Sequence, residues 1–157
     1  MYKFKLSQFH KVFSSIILVF LQFLIIILHF INFKFLPNVE IMQVNYLFIF
    51  IGFSIILIAS FIMLSAIKDL GSNISPFPKP IANGILITSG IYRFIRHPMY
   101  YSLILISFGI FIIKLTFYYL YLTICLVLII KFKIILEEQY LNNKFKNYLI
   151  YKDRVKF

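Results

Sequence analysis

The densest cluster of polar and aromatic side chains is the run Ser89 to Tyr101, SGIYRFIRHPMYY, at the mouth of an apolar segment. Proline fits the first turn of a helix, where an N–H has no intrahelical partner, so Pro98 marks a helix start. The positive end of that helix can face an anion such as a carboxylate. His97 sits at the mouth, Tyr100 follows within one turn on a nearby face, and Tyr92 arrives from the loop side. Aromatic rings and a histidine around a pocket suit an organic cation such as a sulfonium, through cation–π attraction. The same residues also suit a plainer role. Tyr92, Phe94, Tyr100 and Tyr101 would then form an interfacial aromatic belt, with Arg93 and Arg96 as lipid anchors.

The second cluster is Glu137 and Glu138. Lys133 and Glu137 are four apart, the spacing of an ordinary helix-surface pair. Carboxylates this close to a membrane are costly, and ionisable groups there are functional by default. Hydrolysis by paired carboxylates is not indicated, because no second acidic cluster divides the acid and base roles. Three histidines and one cysteine, none at ligand spacing, give no metal site. His10 and His29 read as interfacial, near the first basic patch and the far end of the first apolar run. The single Cys125 excludes an intrachain disulfide and, among Leu122, Ile124, Leu126 and Val127, reads as a small buried hydrophobe. There is no serine-triad signature and no phosphate-cradling glycine loop.

The elements that must position these residues are apolar. Of 157 residues 62% are hydrophobic and 13% charged, against about a quarter charged in soluble domains. Four runs approach membrane-span length, covering about Val12 to Ile31, Tyr46 to Ile67, Pro98 to Ile113 and Phe117 to Leu136. The third is short and joins the fourth through Lys114, Leu115 and Thr116, forming an antiparallel hairpin. No small-residue cleavage site follows the first run, which therefore reads as an anchor rather than a removable signal.

The net charge of +11 does not indicate nucleic acid, since no compact basic domain could hold a duplex. The charge is spread over short segments flanking the spans and suits an anionic lipid surface. The segment before the first span carries +3, the first loop (Lys34, Glu40) 0, the second loop +3, the hairpin turn +1 and the tail +4. That alternation places both termini and the second loop in the cytoplasm. The second loop, Lys68 to His97, is long enough to be functional. The stretch Ser75 to Pro80 makes it extended and stiff, and Gly84 and Gly90 mark turns, so it reads as a shaped lid. In the tail, Leu136, Tyr140, Leu141, Phe145, Tyr148 and Leu149 share one helical face, which predicts an amphipathic helix on the interface.

Three ordered blocks carry a resemblance: Leu70, Gly71, Asn73, Pro76, Pro78 and Pro80; then Gly90, Tyr92, Arg96, His97, Pro98 and Tyr100; then, after one hairpin, Glu137, Glu138, Leu141, Phe145, Tyr148, Tyr151 and Val155. Over about Ile67 to Phe157 the chain resembles the isoprenylcysteine carboxyl methyltransferase and phospholipid methyltransferase group, as a short, bacterial-type member. The resemblance implies that Tyr92, His97, Pro98, Met99 and Tyr100 contact S-adenosylmethionine, with Glu137 contacting it from the other side. Where eukaryotic isoprenylcysteine enzymes use an arginine for the acceptor carboxylate, this chain has Lys133, which keeps the charge without the bidentate geometry.

The expectation is an all-α integral membrane protein of one domain, residues 1–157, with about four transmembrane helices and a C-terminal amphipathic interfacial helix. Residues 1–67 supply two N-terminal spans and 68–157 the methyltransferase-like region. The expected function is S-adenosylmethionine-dependent methylation of a lipophilic, membrane-borne carboxylate, thiol or amine. The alternative is a non-catalytic membrane scaffold or degenerate family member. The two differ in whether Tyr92, His97, Tyr100 and Glu137 converge on one cavity.

Overall fold

The computed structural model describes residues 2–31, 41 and 43–156, with side chains from residue 11 onward. The expectations for the side chain of His10 and for the first-loop charges Lys34 and Glu40 lie outside the described residues. The described residues form five α-helices: α1 (Tyr2–Phe30), α2 (Tyr46–Leu70), α3 (Pro98–Lys114), α4 (Phe117–Lys144) and α5 (Tyr148–Arg154). Among the described residues there is no strand.

Local chemistry sets the helix ends. Asn45 caps α2, its Oδ1 accepting from the N–H groups of Leu47 (3.0 Å) and Phe48 (3.2 Å), as short polar side chains do at N-caps. Gly71 ends α2 at φ 52°, its N–H bonded to the Ile67 carbonyl. Pro98 opens α3, as expected. Leu115 closes α3 in the left-handed region at φ 45°, its N–H bonded to the Phe111 carbonyl at 2.7 Å. Its own carbonyl accepts from Ile41 N–H at 2.7 Å, which places Ile41 at the α3–α4 turn.

Among the described residues three helices are long and apolar enough to cross a membrane: Lys11–Phe30, Tyr46–Asn73 and Phe117–Lys144. The third expected span, α3, is apolar but has 17 residues, roughly 25 Å against a hydrocarbon layer of about 30 Å. Large side chains such as Phe30 (82% exposed), Phe61 (72%) and Phe50 (71%) face outward from α1 and α2. Outward phenylalanines on this scale require an apolar surrounding.

The tail differs from expectation. Leu136 to Leu141 do not begin a separate helix, because nothing interrupts the helical phase and α4 runs on to Lys144. The break falls at Phe145–Asn147, and only the seven residues of α5 follow. Tyr148, Tyr151 and Val155 are buried against Leu86, Leu141 and Phe145, so this part of the tail packs on the protein, while Leu149 and Ile150 stay exposed.

Small residues bring α2 and α3 together. Gly52, Ala59 and Ala66 recur every seven residues and are buried, while α3 offers buried Ser102 and Gly109. A Cβ on Gly52 would stand 2.6 Å from the Gly109 carbonyl oxygen, and one on Gly109 would stand 2.9 Å from that of Gly52. Such close backbone approach is how helices associate where lipid removes the hydrophobic drive between them. With Gly52 level with Gly109 in an antiparallel pair, Pro98 falls level with about Met63. α2 therefore rises about seven residues above the start of α3, leaving a recess.

On the other side of α3, α4 packs antiparallel to both α3 and α1 around Ile25, Leu122, Leu126 and Ile130. A buried polar chain crosses all three. His29 Nδ1 contacts the Ile25 carbonyl (2.8 Å), His29 Nε2 contacts Ser107 Oγ (2.8 Å), and Ser107 Oγ contacts Thr123 Oγ1 (2.8 Å). His29 is thus a buried cross-link between helices rather than an interfacial residue. Its reach to α3, 78 residues away, left no mark in the local sequence. Cys125 is the converse, exposed on the outer face of α4 and not buried among its neighbours. The helix turns Leu122 and Leu126 inward and so turns Cys125 out.

Candidate functional site

The recess above α3 is a cavity of about 360 Å³, within the range of small-molecule sites. Its floor is the start of α3, its walls are α1, the upper part of α2 and the end of α4, and its roof is the 73–87 segment. Tyr92, His97, Met99, Tyr100, Lys133 and Glu137 all line it. Pro98 does not. It is buried beneath as the first residue of α3, where it sets the direction in which His97 and Met99 leave the helix.

Tyr92 lies in the 3₁₀ turn Gly90–Arg93, which is held to the top of α2. Asp69 Oδ2 accepts from Ile91 N–H at 2.7 Å. Gly90 takes φ 58°, and a Cβ there would stand 1.9 Å from that carboxylate, so only glycine allows the turn to sit on Asp69. From the other side the Tyr151 hydroxyl donates to the Tyr92 carbonyl at 2.6 Å. Burial, then the nearby Glu137 carboxylate, pushes the Tyr92 phenol well above its ordinary pKa. The Tyr151 phenol is pushed up to about 12, again chiefly by burial.

His97 is buried and stacks on Tyr100, ring centroids 5.8 Å apart and planes 20° from parallel. Its Nδ1 lies 3.9 Å from Glu137 Oε1 and its Nε2 3.5 Å from Glu138 Oε1. Neither makes a hydrogen bond, and Nε2 is buried without a hydrogen-bond partner. The second carboxylate has a different task. Glu138 binds Arg96 Nη1 and Lys152 Nζ, each at 2.6 Å, tying the start of α3 to α5. Arg96 is therefore a half-buried staple rather than a lipid anchor. Arg93 and Phe94 are exposed, as the belt reading expected.

Lys133 is 1% exposed. It is not half of a surface pair. Its Nζ donates to Gln22 Oε1 (2.5 Å) and to the Pro76 carbonyl (3.1 Å) and stands 5.0 Å from the centre of the Tyr100 ring. A buried ammonium requires such partners. Gln22 on α1 is a site residue that local reading missed, since one glutamine in an apolar helix carries no motif. Tyr148 is another. It is 1% exposed, lines the cavity, and its hydroxyl has no hydrogen-bond partner among the described residues.

The 73–87 segment is held as a roof. Asn73 Oδ1 accepts from Ile85 N–H at 3.1 Å, and Gly84 leaves no room for a Cβ, which would meet Asn73 Oδ1 at 2.8 Å. Lys144 Nζ donates to the carbonyls of Ile81 and Ala82.

Fold and site together define a helical membrane protein with a mainly apolar and aromatic cavity, carrying a few polar side chains, at one end of its bundle. The family model for phospholipid methyltransferase matches residues 47–148, most of the chain and all of the cavity's floor. The chain belongs to the phospholipid methyltransferase family, and so to the membrane methyltransferases. Methyltransferases of this kind generally use S-adenosylmethionine. A comparison with curated proteins gives no match.

Proposed function

We propose that the protein transfers a methyl group from S-adenosylmethionine to a lipophilic acceptor carrying a carboxylate, thiol or amine. The observation that carries this reading is the convergence of Tyr92, His97, Tyr100, Lys133 and Glu137 on one cavity. Three residues of its lining carry a buried polar atom without a hydrogen-bond partner among the described residues, Arg96 Nε, His97 Nε2 and the Tyr148 hydroxyl, which suits a cavity that takes a polar ligand. The cavity residues fit the cofactor by charge. Glu137 suits its ammonium, Lys133 and the positive end of α3 its carboxylate, and the rings of Tyr92 and Tyr100 its sulfonium. When bound, the cofactor supplies an electrophilic methyl group.

The chain's own contribution is alignment and shielding. The Gln22 and Pro76 bonds hold Lys133 in one place, and Asp69 and Tyr151 hold Tyr92. Fixing the partners in line is worth several powers of ten in rate. The roof excludes water, which strengthens every charge interaction beneath it. The apolar wall formed by Phe23, Ile26 and Leu103 suits an acceptor arriving sideways from the bilayer. A carboxylate acceptor needs no base, whereas for an amine acceptor His97 or Glu137 would take the proton. The charge asymmetry along the chain supports a cytoplasmic position for the cavity and both termini.

Calorimetry on detergent-purified protein tests this. Saturable S-adenosylmethionine binding is expected, lost in His97→Ala and in Glu137→Gln but kept in the exposed-site control Phe94→Ala. Unchanged affinity in His97→Ala would refute the cavity assignment. A folded wild type that binds none would make the chain a non-catalytic family member.

A further inference from the structure

A second concavity, about 540 Å³, lies behind the first. Leu86, Phe145 and Tyr151 line both, so one layer of side chains separates them. Its chemistry is different. Lys144, Lys146 and Arg154 line it together with the Thr88 hydroxyl and the Asn147 amide, and no carboxylate does among the described residues. Lys144 spends two of its donors on the roof carbonyls of Ile81 and Ala82 and retains a third. Lys146 and Arg154 are exposed, whereas the neighbouring Lys152 is committed to Glu138.

The rim is apolar. Ile150 lines the groove and is 71% exposed, with Leu149 beside it at 55%. Three cations over two neutral donors select an anion with several acceptor oxygens. Outward isoleucine and leucine beside them select an anion attached to hydrocarbon. We infer that this groove, built at the α4–α5 break, binds the phosphodiester headgroup of an anionic phospholipid, with Leu149 and Ile150 entering the adjoining acyl layer.

The placement gives the bound lipid a consequence. The groove is made by the break at Phe145–Asn147, and that break is what swings Tyr151 onto Tyr92. A headgroup bridging Lys146 in the break to Arg154 at the end of α5 would brace the turn and, through Tyr151, the rear wall of the cavity. The inference does not depend on methyl transfer, because lipid retention is read without cofactor.

The experiment is native mass spectrometry of the whole protein released from nanodiscs of phosphatidylcholine mixed with phosphatidylglycerol. The wild type should retain phosphatidylglycerol. The double variant Lys146→Gln/Arg154→Gln should retain it about 25-fold less well, from the loss of two charged hydrogen-bonding partners in the groove. Both residues are exposed, so the fold should survive. The control Lys68→Gln/Arg93→Gln removes equal charge from exposed sites outside the groove at the same end of the bundle and should retain the lipid within about twofold of wild type, because charges out of contact with the headgroup are screened. Equal loss in the control would reduce the effect to general surface charge and overturn the site. So would equal retention of phosphatidylcholine, or displacement of the lipid by millimolar inorganic phosphate, which would make this a groove for soluble anions.

Discussion

His97, Lys133 and Tyr151 show three ways in which a side chain at this site is held. His97 is fixed by stacking and by its place at the head of α3, which leaves a ring nitrogen unengaged. Lys133 is fixed by hydrogen bonds from two distant elements. Lys133→Leu would strand the Gln22 and Pro76 oxygens and should cost about 2–3 kcal/mol. Adding Gln22→Leu should restore about 1 kcal/mol, and strict additivity in a double-mutant cycle of thermal unfolding would argue against the pairing. Tyr151 is fixed by its bond to the Tyr92 carbonyl, so Tyr151→Phe should cost about 1–2 kcal/mol. Tyr92, Tyr148 and Tyr151 all hold their protons above the ordinary tyrosine value of 10.0. The unfolded chain releases those protons first and binds fewer of them, so stability falls as pH rises. Melting temperature should be level through neutrality and drop from about pH 10 upward. A profile still level at about pH 11 would contradict the burial of these phenols.

At the scale of elements, the cavity exists because α3 starts low against α2. The contact between Gly52 and Gly109 sets that register, and a side chain at either would push the helices apart. Gly109→Val should therefore cost about 3 kcal/mol, in the overpacking range, and weaken cofactor binding with it. Gly71→Ala separates steric from conformational effects. Gly71 has positive φ but nothing within 4 Å of a built Cβ, so it should lose only about 1 kcal/mol. Equal losses in the two variants, compared by unfolding in detergent, would mean that the α2–α3 approach is not what Gly109 is for. Gly90 combines both effects, and its substitution should also release the Tyr92 turn from Asp69.

For the whole molecule, the apolar outer faces of α1, α2 and α4 set how it sits in its surroundings. Cys125 reports on this directly, since it is exposed on α4, about 12 Å from the start of a helix long enough to span. In intact vesicles a membrane-impermeant maleimide should fail to label it, because lipid covers the thiol. Labelling should become complete once the vesicles are dissolved and the chain unfolded. Rapid labelling from the aqueous phase would place that face of α4 in water. The same view explains the uneven use of charge. Arg96, Glu138 and Lys152 form a connected group that closes the open end of the bundle, while Lys146 and Arg154 are left for a partner outside it.

The sequence by itself determined the apolar helices, the helix start at Pro98, the turn at Gly90 and the set of residues around His97 and Glu137. These follow from local rules: span-length hydrophobicity, proline and glycine geometry, and motif order along the chain. It did not disclose that α4 continues through Glu137 and Glu138 to Lys144, since periodicity records phase and not where a helix stops. Nor did it disclose Gln22, Tyr148, the inward turn of His29 or the outward turn of Cys125. Each of these depends on which neighbour a helix face meets, and those neighbours lie tens of residues away. The division of labour between the paired glutamates was likewise a tertiary outcome. One helical step, about 100° of rotation, turns Glu137 into the cavity and Glu138 toward Arg96 and Lys152.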